Sequence, residues 1–177
     1  MIRNIVCTAV FALSLASAQG IAVQEPSQEN AKSRLDRQET VHSIVQAGRM
    51  PAPQKNEKLD AAWKDPSAGT TPRSDFLFCT GMAYLGDYRA QRCVGSAYEN
   101  ARGIVEDLSE AYAWYGVALE NPNAPDNAKT VIEADKERVK ARLTGAYPHP
   151  TDDEMDDMVN QLKNRIAQYQ NEAKAKQ

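Results

Sequence analysis

The stretch from Ala90 to Asn121, AQRCVGSAYENARGIVEDLSEAYAWYGVALEN, decides the fold. Two segments with helical periodicity flank one glycine-bearing turn. The first, from about Ala90 to Asn100, has a small inner face: Gly95 and Ala97 leave room for a neighbouring backbone, and Tyr98 projects beyond them. In the turn, residues 101–106, Gly103 is expected to take a positive φ, which glycine adopts without steric cost, with Ile104 and Val105 plugging the gap. Asp107 is a helix N-cap, and Glu110 follows at capping-box spacing. The helix beyond carries Leu108, Ala111, Tyr112, Trp114, Tyr115, Ala118 and Leu119. Its large rings cover more than one face, so neighbours are expected on both sides.

Working outward, Ser74 suits the N-cap of a preceding helix that carries Phe76, Leu77, Met82 and Leu85 before Gly86 and Asp87 turn the chain. Downstream, Asp126 or Asn127 can cap a helix in which Ala128, Val131, Ile132, Asp135 and Val139 recur towards Leu143. Gly145, Pro148 and Pro150 stop it. Thr151 and Glu154 then form a second capping box. In the last helix Met155, Val159, Leu162, Ile166, Tyr169 and Ala173 alternate by four and three residues, a heptad stripe. Two readings stay open, a coiled-coil homodimer seam and a helix that covers the end of a hairpin stack. The shortness of the stripe favours the cap, because stacked hairpins need a terminal element to shield apolar faces.

Residues 1–18 read as a secretory leader, with Arg3 as the positive start, an apolar run from Ile5 to Ala16, and the small Ala16-Ser17-Ala18 before a cleavage at Gln19. The run is short for a membrane span, and Cys7 lies at its head, away from a lipid-acceptor position. The expectation is a periplasmic or secreted protein with no stable membrane insertion. Residues 19–73 shift towards Gln, Pro, Lys, Ser and Asn and read as a largely disordered low-complexity tether. Within it, 30–47 can form a helix with Leu35, Val41, Ile44 and Val45 on one face. Leu59 and Trp63 sit at helical spacing, and the competing reading has them dock on the folded part.

The formal charge of the whole chain is -3, and losing the leader removes only Arg3, leaving -4. No basic stripe with interleaved aromatics exists, which argues against nucleic-acid binding. Three Phe and two Trp imply a modest core of Tyr, Ala, Leu and Val, suited to closely packed helices. The fold class expected is all-α: a repeat domain over 74–146 built as a short, solenoid-like array of α/α-hairpins, with a C-terminal capping helix over 147–177.

Gly95, Tyr98, Gly103, Ile104, Asp107, Ala111, Trp114, Tyr115 and Ala118 follow one another in the order and spacing of the Sel-one-like repeat, a relative of the tetratricopeptide repeat. The chain resembles that family over roughly Phe76 to Leu143, with one full copy of the signature. The resemblance implies a helical-repeat scaffold for protein partners, and it assigns Tyr98, Trp114 and Tyr115 to hairpin packing. Two departures stand out. Ala101 occupies the place of a second loop glycine, which implies a tight or strained turn, and Pro122 lies where the family commonly ends its second helix with glycine.

Cys79 and Cys93 lie on consecutive expected helices, and an oxidising compartment favours joining them in a disulfide; two buried thiols are the alternative. Secreted members of the family link adjacent helices similarly, with a different cysteine spacing. Reaction chemistry is sparse. His42 and His149 lack partners at metal-ligand spacing, and neither a nucleophile elbow nor a phosphate-binding glycine loop occurs. The acids Asp152, Asp153, Glu154, Asp156 and Asp157 lack a calcium-loop register and complement a helix dipole. No cofactor, metal or catalytic residue is expected. The function expected is a non-catalytic scaffold that binds a peptide or protein partner, with Tyr84 and Tyr88 as exposed gripping residues. A small enzyme or inhibitor built on Glu99, Glu106 and Glu110, and a structural oligomer organised by the last helix, are the alternatives.

Overall fold

The computed structural model describes residues 28–65, 72–145 and 148–176, with side chains from residue 36 on. The expected leader lies outside them. The described residues form seven helices and no strand: α1 Gln28–Arg49, α2 Ala52–Lys64, α3 Pro72–Tyr84, α4 Tyr88–Glu99, α5 Leu108–Leu119, α6 Asp126–Thr144 and α7 Asp152–Lys174. The protein is all-α. Helix α5 is its centre and packs on α4, α6 and α7, while α1 packs on both α3 and α7. The odd-numbered helices therefore face one another around a common hollow. Outside them, α2 lies on α4, and α6 lies on α5.

The largest correction concerns the tether. From residue 36 to residue 65 it is folded, with Val41, Ile44, Ala47 and Leu59 in the core. The packed unit therefore extends well upstream of residue 74. Average composition misled here because α1 is polar overall, yet the few buried residues between Val41 and Ala47 are enough to dock it. Its close approach rests on Gly81 of α3, where an added Cβ would collide with the Ser43 carbonyl oxygen of α1. Glycine inside a helix costs roughly 1 kcal/mol relative to alanine, so one retained mid-helix is a packing signal. Leu59 and Trp63 dock as the competing reading had it. Trp63 stands edge-on to Tyr88, and the Arg92 guanidinium lies over the Trp63 ring.

The remaining elements follow local chemistry closely. Helix α3 begins at Pro72, ahead of the cap expected at Ser74. Asp87 caps α4 through the Arg89 and Ala90 backbone N–H groups. Asp107 caps α5 through the Glu110 N–H, but the expected box is only half formed, because the Glu110 carboxylate is drawn across to Arg165 on α7. Thr151 and Glu154 make the full reciprocal box at the start of α7. Helix α6 instead has Pro125 at its N-cap, with Asp126 in the first turn. The heptad stripe of α7 is used within the chain: Met155, Val159, Leu162 and Ala173 are buried, and Ile166 and Tyr169 pack against the same core. A coiled-coil seam on that face would have to displace α5 and α1.

Three apolar residues expected to face inward do not. Val105 is 79% exposed, leaving Ile104 alone to close the turn. Leu85 lies open just past α3, and Val131 sits on the outer edge of α6. Gly103 has φ +75°, and a Cβ there would strike the Pro72 carbonyl, so both its dihedral and its contact demand glycine. Ala101 has φ +54°, the left-handed region that alanine enters only at a steric cost.

Candidate functional site

Signature residues of the Ala90–Asn121 stretch form the wall between two different environments. Ala111, Tyr115 and Ala118 are fully enclosed, Trp114 nearly so, and Tyr98 is half-buried edge-on to Phe76. Gly95 lies so close to the Tyr115 ring that a Cβ would come within 2.8 Å of it. Cys79 of α3 and Cys93 of α4 form a disulfide-distance pair, with their Cα atoms 6.1 Å apart.

On the side of α5 facing α4 and α6, a polar network is closed. The Tyr115 hydroxyl donates to Glu99 at 2.8 Å, and Arg138 reaches the same carboxylate with two N–H groups at 2.7 and 2.8 Å. Arg138 also donates to Asp135 at 2.8 Å, and Asp135 accepts from Arg92 at 2.7 Å. Arg92 in turn donates to the Trp63 carbonyl. Burial alone would raise the pKa of Glu99, but the hydrogen bonds from Arg138 and Tyr115 outweigh it and hold the carboxyl below its ordinary value. A second buried polar set, Gln91 with Asn121, ties the α3–α4 turn to the end of α5 through the carbonyls of Ala83 and Gly86.

On the opposite side of α5 the odd-numbered helices leave a groove of about 530 Å³. Phe76 and Tyr84 of α3 and Trp114 of α5, all buried, lie beneath it, and the half-buried Tyr98 of α4 and Tyr169 of α7 supply its accessible ring surface. Tyr84 stacks on Tyr169 and stands edge-on to Trp114. Across the groove Arg165 grips Glu110 in a two-pronged pair at 2.8 and 2.6 Å. Burial works against the Arg165 charge, yet Glu110 holds its pKa above the ordinary value. The Arg165 Nε is buried and meets no acceptor among the described residues. Tyr84 and Tyr98 are pushed above the usual phenol range, chiefly by burial, so both hydroxyls stay protonated at neutral pH. At the rim Arg73 of α3 pairs with Glu39 of α1.

The residues singled out from sequence divide accordingly. Tyr84 lies in this groove but is only 3% exposed, which corrects its reading as a free surface grip. Helix α7 folds back over it, and Gln170 donates to its carbonyl. Tyr88 is half-buried against Trp63, outside the groove lining. Glu99, Glu106 and Glu110 do not converge on one site: Glu99 belongs to the closed network, Glu106 pairs with Arg142 at 2.5 Å, and Glu110 faces the groove. A second hollow, of about 510 Å³, lies where Pro148, His149 and Pro150 lead into α7, and no comparable aromatic floor lines it.

Sequence reasoning missed Arg165, a cation of the groove, because its partner lies on a helix 55 residues away. No group of three or more His, Cys, Asp or Glu side chains with metal-holding geometry occurs among the described residues, and no helix there is long and apolar enough to cross a membrane. Comparison of the chain with family models, curated proteins and solved structures returned no match.

Proposed function

We propose that this chain is an exported, non-catalytic scaffold that binds a segment of a peptide or protein partner in the groove between α1, α3, α5 and α7. The observation that carries this reading is the groove itself. Its volume of about 530 Å³ falls in the range of built ligand sites, and aromatic rings held rigidly by one another line it. Rings fixed in this way bind without losing side-chain freedom, which is why Tyr and Trp dominate binding hot spots. The half-buried Tyr98, whose hydroxyl stays protonated, offers a hydrogen-bonding group suited to a peptide backbone. The repeat resemblance points the same way, since stacked hairpins present concave surfaces to partners. The disulfide-distance cysteines and the leader-like start of the sequence support export.

The test is to select binders from a displayed random-peptide library and map the best of them on the isotopically labelled full chain by amide shift perturbation. The expected result is perturbation concentrated on α1, α3, α5 and α7, accompanied by a change in Trp114 fluorescence. Perturbation confined to the Trp63–Tyr88 face, or the absence of any selected binder, would sink the reading. Substituting Tyr84 with alanine is a poor test, because it removes core packing together with groove surface.

A further inference from the structure

The groove carries an imbalance of charge that selects among peptides. Five acids line it, Asp36, Glu39, Glu106, Asp107 and Glu110, against two arginines, Arg73 and Arg165. Arg73 answers Glu39, Arg165 answers Glu110, and Arg142 reaches Glu106 from α6. Asp36 and Asp107 are left without a cation among the described residues, and both are exposed at the rim. Tyr98 lies near enough to feel the charge of both, and Tyr169 lines the same groove. Aromatic faces beside carboxylates that meet no cation among the described residues favour a side chain with an aliphatic stem and a cationic head. Tyr169 already takes Arg37 in this way, with the guanidinium carbon 5.6 Å from the ring centre.

We infer that the groove's ligand is a peptide segment bearing lysine or arginine, with Asp36 and Asp107 as the residues that select it. The inference rests on the peptide-binding reading above and narrows it to one ligand chemistry. Asp107 also caps α5, so its charge has to be removed without removing the cap. Asparagine does this, being about as good an N-cap as aspartate.

The experiment follows fluorescence anisotropy of a short end-capped peptide alternating alanine with lysine, and of its glutamine and glutamate counterparts, titrated with the full chain. The lysine peptide should bind best and the glutamate peptide worst. Binding of the lysine peptide should weaken about tenfold in the Asp36→Asn, Asp107→Asn double variant, as expected for two rim charge contacts. Its salt dependence should become shallower. The Asp156→Asn, Asp157→Asn variant changes the net charge equally on an exposed part of α7 and should bind like the unmodified chain. Equal weakening in both variants would mean diffuse attraction to an acidic protein and would overturn the inference. So would glutamate-peptide binding as tight as lysine-peptide binding; if that binding maps to the groove, the scaffold reading survives while this one fails. If the lysine, glutamine and glutamate peptides and the selected library all fail to bind, both readings fall.

Discussion

On the outer side of α5, Tyr115, Glu99 and Arg138 form a network in which each charged atom finds a partner, and Asp135 and Arg92 extend it to Trp63. On the inner side, Tyr84, Glu110 and Arg165 are the same three residue types, yet the arrangement surrounds a hollow and leaves the Arg165 Nε without an acceptor among the described residues. A tyrosine, a glutamate and an arginine therefore do not by themselves mark a site. The outer trio, with Tyr115 and Glu99 buried and Arg138 half open to solvent, joins α4, α5 and α6. The inner trio borders a groove lined from α1, α3, α4, α5 and α7, where its Glu110–Arg165 pair stays partly open to solvent. That difference can be tested by perturbing what the two sides share, and then each side alone.

Trp114 sits in the shared wall and should give the largest effect. Its ring is buried and packs on Tyr84, so Trp114→Ala should cost about 3–5 kcal/mol in urea unfolding, the range for deleting a large core aromatic. A near-neutral result would mean that α5 does not separate two packed environments. The cysteine pair comes next, because a disulfide there would tie α3 to α4 across 14 residues of sequence. Closing a loop of that size restrains the unfolded chain by about 3 kcal/mol in the loop-entropy model. The Cys79→Ser, Cys93→Ser double variant should lose stability of that order, and reductant should lower the original chain to match it. If reductant has no effect, the thiols are not joined.

The two glutamates test the contrast directly. Glu99→Gln leaves Arg138 and the Tyr115 hydroxyl facing a neutral amide in an enclosed network. Breaking a fully buried pair costs about 3–5 kcal/mol, and because half of the Arg138 side chain reaches solvent, about 2 kcal/mol is expected. Glu110→Gln on the open side should cost less than about 1 kcal/mol, since solvent in the groove can take over at Arg165. Equal costs would erase the distinction. The pH dependence has a definite sign. Glu99 binds its proton less readily in the folded chain than in the unfolded one, so its contribution is complete above the ordinary carboxylate range and disappears as pH falls through that range and below it. Stability curves from about pH 6 to pH 2 should therefore be flatter for Glu99→Gln than for the unmodified chain.

How much of this was legible in the sequence depended on the distance over which each feature is encoded. The caps at Asp107 and Thr151, the positive φ of Gly103 and the α7 stripe are local, set by residues within a turn or two of one another, and they appear as read. The groove is assembled from residues 36 to 169, and its central ion pair joins α5 to α7, so no window of sequence contains it. Tyr84 and Tyr88 illustrate the same limit. Both flank a turn and resemble surface residues, but α7 returns to cover one and α2 leans on the other. The helix over 30–47 was legible, but the polar average of residues 19–73 concealed that it docks in the core through Val41, Ile44, Val45 and Ala47. The counter-signal was on another helix, at Gly81.

The smallest expected effect concerns the loop where the two environments meet. Ala101 and Gly103 both have positive φ in the turn between α4 and α5, but only Gly103 is pressed against another backbone, at Pro72. Ala101 is exposed, so its dihedral alone is at issue. The left-handed region costs a residue with a Cβ roughly 1–2 kcal/mol, whereas glycine in place of alanine frees the unfolded chain at a cost of roughly 0.5–1 kcal/mol. The balance favours Ala101→Gly by about 0.5–1 kcal/mol, read as a higher midpoint of urea unfolding with an unchanged slope. The variant removes no contact with either side of α5, so the closed network and the groove should both keep their properties. If peptide affinity moves with the midpoint, the turn sets the groove's width as well as the chain's stability. The closed side would then no longer be independent of the open one.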